Sequence, residues 1–100
     1  MRALGALVLA TLVAFGAGAA QAASPDAWKA HAAEVAKACA GASRLAKATP
    51  RGTAAEFEAH SALVLDGRVA SGRRKGTPER VACLFDKRAR KAATTPVEGW

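Results

Sequence analysis

Few side chains in this chain could do chemistry: two histidines, two cysteines, eight carboxylates and a basic loop between glycines. His31 and Glu34 stand three residues apart and can share a helical face, as a general base and its orienting carboxylate would. A nucleophile is missing beside them, since the chain holds no GxSxG, CxxC or HExxH pattern. A helical histidine beside a glutamate is then an ordinary solvated pair. His60-Ser61 falls between two strand segments and reads as a polar pair in a turn. Glu56 and Glu58 would share one face of a strand, in the manner of paired glycosidase carboxylates. Alternation around Phe57 explains them equally well, and so short a chain offers little cleft for a sugar. The expectation is a non-enzyme with no catalytic residues, no metal and no cofactor.

The stretch Gly72-Arg73-Arg74-Lys75-Gly76-Thr77 has two glycines around three cations. It lacks the spacing and the Gly-Lys-Ser/Thr order of a nucleotide-binding loop. As an anion-binding loop it makes physical sense, because flexible glycines expose backbone N–H groups beside positive side chains. The candidate anion-binding set is Arg73, Arg74, Lys75, Arg80, Lys87 and Arg88. It becomes one patch only if the turns carrying these residues lie on one edge of a sheet. The charge distribution points the same way. The net charge is +7, yet five bases and five acids cancel between Ala23 and Gly67, whereas nine bases face two acids between Arg68 and Lys91. Such asymmetry suggests an anionic partner: an envelope polymer, a membrane surface or an acidic protein. A basic surface with no partner is the competing reading. Only Phe85 lies among these cations, so the aromatic interleaving of nucleic-acid readers is absent.

Residues 1–22 read as a cleaved signal peptide. Met1-Arg2 supplies the charge, an uncharged run from Ala3 to Ala20 the apolar centre, and Ala20-Gln21-Ala22 the small-x-small exit. The alternative is an uncleaved membrane anchor, for which the run is nearly long enough. Residues 23–100 are expected to form a single small α+β domain in the periplasm, a monomer. With about 78 residues such a domain is near the limit of what a core alone stabilises. Two cysteines, Cys39 and Cys83, allow one intramolecular pairing in an oxidising compartment. Closing that loop should contribute on the order of 4 kcal/mol. The alternatives are two free thiols, or a metal site with His31 or His60.

The elements that must position these residues follow from caps and periodicity. Ser24-Pro25-Asp26 starts a helix, and Trp28, Ala32, Val35, Cys39 and Ala42 form its apolar stripe. The helix ends near Gly41 to Ser43. Leu45 to Thr49 reads as a last helical turn or a first strand, and Pro50-Arg51-Gly52 as a turn. Ala54 to Ala59 alternates as a half-exposed strand. Ala62 to Leu65 is a short strand closed by Asp66-Gly67, a hairpin turn signal. Ser71 to Pro78 is loop. Glu79 to Arg88 is the clearest strand, with Val81, Cys83 and Phe85 on one face and Ala82, Leu84 and Asp86 on the other. Leu84 on the second face predicts a central or covered strand. Ala89 to Val97 is an edge strand because of Pro96, and Glu98-Gly99-Trp100 a tail. The fold class is α+β: an N-terminal helix packed on a three- to four-stranded antiparallel sheet, stapled by one disulfide. Trp28, Val35, Leu63, Leu65, Val81, Leu84 and Phe85 are the expected core.

The helical Cys39, the basic glycine loop and Cys83-Leu84-Phe85-Asp86-Lys87-Arg88 together resemble a group of small exported bacterial proteins of unknown function. The resemblance covers Cys39 to Lys91, with Phe85 where that group has tyrosine. It implies export and a disulfide, and no reaction or ligand. The functional expectation is a small periplasmic non-enzymatic binding or accessory protein whose basic C-terminal half contacts an anionic envelope component or acidic protein. The alternative is a secreted inhibitor of a hydrolase, which would need an acidic target because of the charge.

Overall fold

The computed structural model describes residues 24–100; the expected signal peptide lies outside the described residues. Helix α1 (Pro25–Ser43) precedes strands β1 (Ala46–Pro50), β2 (Ala55–Glu56), β3 (His60–Arg68), β4 (Pro78–Asp86) and β5 (Lys91–Pro96). Ser24 caps α1 as its position demands: its Oγ accepts the Ala27 N–H at 3.2 Å. At the other end Ser43 Oγ donates to the Ala40 carbonyl and accepts the Leu45 N–H. Arg44 takes the left-handed conformation, φ 57°, that stops the helix.

The five strands form one antiparallel sheet in the order β1-β3-β4-β5, with β2 also on β3. Since β4 takes one side of β3, β1 and β2 share the other, β1 beside Leu65 to Arg68 and β2 beside Ser61 and Ala62. Pro50 has no N–H to donate and Gly52 turns the chain with φ 80°, which divides this edge into two pieces. The sheet is therefore four strands wide.

From Ala32 to Trp100 the chain forms a compact unit in which α1 covers one face of the sheet. Val35 and Cys39 meet Leu63, Leu65, Val81, Cys83 and Phe85, all buried. Cys39 and Cys83 are joined by a disulfide, Cα–Cα 5.8 Å, which ties the helix to the central strand across a separation of 44 residues. The alternation of β4 is as expected, and β4 is central, between β3 and β5.

Four expectations are corrected. Leu84 is not core: it is 47% exposed, because α1 covers one face and no described segment crosses the other. Trp28 is 54% exposed, its ring edge-on to that of His31. Asp66-Gly67 makes no turn. β3 runs through it, pairing Asp66 with Arg80 and Gly67 with Glu79, and the connection to β4 comes later, at residues 69–77. Gly67 is needed for space instead: a Cβ there would stand 2.8 Å from Leu45 Cβ and 3.1 Å from the Ala46 carbonyl oxygen. Ala54 to Ala59 yields only the two-residue β2, leaving Phe57 59% exposed in the turn to β3.

Candidate functional site

The β3–β4 connection is a loop with internal order. The Val69 N–H donates to the Thr77 carbonyl and the Val69 carbonyl accepts the Gly76 N–H, while the Lys75 N–H donates to the Gly72 carbonyl and the Thr77 N–H to the Arg74 carbonyl. Gly72 and Gly76 sit at φ 85° and 86°, the left-handed region where glycine has no steric cost. Arg68 Nη1 reaches up from β3 to the Gly76 carbonyl at 2.8 Å. Arg73, Arg74 and Lys75 are thereby held exposed at the end of the sheet. Among the described residues their one acidic partner is Glu79, 3.5 Å from Arg74.

Of the other three candidate cations, two lie at the opposite end of the sheet and the third, Arg80, is near the loop but already engaged. An antiparallel meander places successive turns at opposite ends, so Lys87 and Arg88, in the β4–β5 turn, are the length of β4 away, about 27 Å. Lys87 Nζ is tied to Glu56 at 3.1 Å and to the Phe57 carbonyl. Arg88 is exposed, and its backbone N–H donates to Asp86. Arg80 is engaged with Asp66 at 2.6 Å and donates to the Trp100 carbonyl. The six residues do not form one patch; Arg73, Arg74 and Lys75 do stand together.

The face of the sheet turned away from α1 carries features the sequence reading did not single out. Ala62 and Val64 on β3, Ala82 and Leu84 on β4, and Ala93 on β5 line a shallow apolar trough of about 550 Å³, with Trp100, 63% exposed, beside it. One end is closed by ion pairs: Asp66 receives Arg80 and, at 3.5 Å, Arg51. The Arg80 hydrogen bond, with the positive charges of Arg80 and Arg51, holds the Asp66 carboxyl below the usual carboxylate range although partial desolvation opposes it. The other end holds His60 and Asp86, 3.9 Å apart. Asp86 is lowered too, first by the N–H groups of Ala89 and Arg88 that its Oδ1 accepts. The signal for this face was the run Ala62-x-Val64-x-Asp66 in register with Arg80-x-Ala82-x-Leu84. It was legible as alternation, but a covered face has the same pattern.

The catalytic candidates disperse. Glu34 pairs with Arg90, and Glu56 accepts from Ser61 Oγ at 2.7 Å. No group of three His, Cys, Asp or Glu side chains comes together among the described residues. Likewise, no helix among them is long and apolar enough to cross a membrane. No family model, curated protein or solved structure matches this chain.

Proposed function

We propose that this is an exported, non-enzymatic binding or accessory protein whose β3–β4 loop contacts an anionic partner, an envelope polymer or an acidic protein surface. The observation that carries the reading is the loop itself: three consecutive cations on a hydrogen-bonded frame, with one carboxylate among them. A frame fixed in advance lowers the ordering cost of binding. Export is supported by the character of residues 1–22 and by the Cys39–Cys83 bond, which persists in oxidising compartments. The same rigid loop would also serve a secreted hydrolase inhibitor directed at an acidic target.

The test separates a loop contact from general charge. Arg73→Glu/Lys75→Glu and Lys37→Glu/Arg88→Glu each reverse two exposed cations and lower the net charge from +7 to +3. Binding to isolated envelope fractions at low salt should fall at least about tenfold for the loop variant and much less for the other, with melting temperatures unchanged. Equal losses in both variants, or none in either, would sink the loop reading.

A further inference from the structure

The cationic loop is one part of a larger basic surface. β1 starts at the same end of the sheet, since Ala46 pairs with Arg68, the residue from which the β3–β4 loop departs. Arg44 and Lys47, close to Ala46 in the chain, are thereby brought to the loop end. Lys47 and Arg68 line one cleft of about 300 Å³ with Thr49, Asp66, Gly67 and Pro78. Arg44, Lys47, Arg68, Arg73 and Lys75 are all exposed, and among the described residues none of the five is ion-paired to a carboxylate. The acids at this end are taken or stand apart: Asp66 holds Arg51 and Arg80, Glu79 holds Arg74, and Glu98 follows β5 at the far edge of the sheet. At the opposite end, by contrast, Lys87 is paired with Glu56 and Arg90 with Glu34.

We infer that this end of the sheet binds a flexible phosphate-repeat polymer, laid from the loop past Arg68 to β1; the inference rests on the loop reading above and names its ligand. The track is about 15–20 Å long, the depth of the hairpin loop plus the strand spacing of about 4.8 Å. A lone small anion would meet one or two exposed cations, a contact worth little in water. Nor does the loop cradle one with its backbone, because the N–H groups of Lys75, Gly76 and Thr77 all donate to carbonyls of Gly72, Val69 and Arg74. A protein partner would want an apolar centre, and none of the exposed large apolar residues, Trp28, Phe57, Leu84 and Trp100, belongs to the loop or to β1. The same lack of aromatics removes base stacking, and with it single-stranded nucleic acid. Phosphate is favoured over carboxylate by direction. The cations come from the loop and from two neighbouring strands, and a tetrahedral phosphate accepts donors from several sides, whereas the two oxygens of a carboxylate lie in one plane.

The probe is long-chain inorganic polyphosphate, titrated calorimetrically into the protein at several salt concentrations. Saturable binding is expected, with a slope of about −4 in log K against log salt, as five contacts would give. Arg44→Asn/Lys47→Asn removes two cations at φ 57° and 54°, a conformation asparagine tolerates. It should make the slope shallower by about 1.5, and so should Arg73→Asn/Lys75→Asn. Lys37→Gln/Arg88→Gln removes two exposed cations outside the track and should leave the slope nearly unchanged. Tripolyphosphate, and poly-glutamate matched in charge to the long chain, should each bind at least about tenfold more weakly than the long chain. Absence of saturable polyphosphate binding overturns the inference. So does a slope that Arg44→Asn/Lys47→Asn leaves in place, an equal change in Lys37→Gln/Arg88→Gln, or either competitor binding as tightly as the long chain. The loop reading stands or falls separately, since it is decided by Arg73→Glu/Lys75→Glu on envelope fractions, and a loss there holds whatever polyphosphate does.

Discussion

Removing both cysteines should cost this protein most of its stability. The bond between Cys39 and Cys83 closes a loop across 44 residues. On the chain-entropy account, opening it returns about 4 kcal/mol of freedom to the unfolded state. Both cysteines are also buried in the core, so Cys39→Ala/Cys83→Ala forfeits some packing as well. Against that stand five other buried apolar residues among those described, and a domain of this size holds only about 3–5 kcal/mol from its core. The double variant should therefore be at or near the midpoint of unfolding at room temperature. The assay is urea unfolding followed by far-ultraviolet circular dichroism. A fall in the melting temperature of at least about 15 °C is the thermal counterpart. A variant whose urea midpoint stays at the parent value would refute the reasoning, for it would mean that the sheet and helix hold together without the tie.

Gly67→Ala should destabilise by about 1–3 kcal/mol, because the new Cβ meets Leu45 and the Ala46 carbonyl in a close contact between neighbouring segments; an unshifted urea midpoint would show that β1 yields freely. The pH dependence has a fixed sign. Asp66 and Asp86 have lowered values in the folded protein, so the stability they confer is fully present above the ordinary carboxylate value of about 3.9. It is lost as pH falls through the lowered values. Urea midpoints measured from about pH 5 down to pH 2 should drop, and Asp66→Asn should flatten the drop; an identical slope in the variant would remove Asp66 as a cause.

Much of the fold was legible because its signals are local. Ser24-Pro25-Asp26 specifies a helix start through one hydrogen bond and one fixed φ, and both are found. The alternation Val81-x-Cys83-x-Phe85 names a buried face regardless of what buries it, and two cysteines leave one pairing. Asp66-Gly67 misled because its turn signal comes from a side chain and a glycine whose uses here are tertiary. Asp66 is held by Arg80, 14 residues on, and Gly67 makes room for Leu45, 22 residues back. Neither partner is visible within a window of turn length. Pairing the basic residues into one patch required knowing which ends of the strands the turns occupy, and that is a property of the meander as a whole.

Leu84 shows where periodicity stops. Period two divides β4 into two faces, and an apolar residue on each implied a strand that is central or covered; β4 is central, yet its second face is open. What decides coverage is the supply of segments. One helix and four strand widths of sheet can bury a single face, and the disulfide fixes which one, since Cys83 must point toward Cys39. The leftover face then has two physical options: polar residues throughout, or an apolar floor that something occupies. Ala62, Val64, Ala82 and Leu84 make the leftover face apolar, with Asp66, Arg80 and Arg51 paired toward one end and His60 beside Asp86 at the other. An alanine floor between two paired charge clusters buries too little to act as a core and is too apolar to be an ordinary wet surface. That combination makes the face, as much as the loop, the place to look for a ligand.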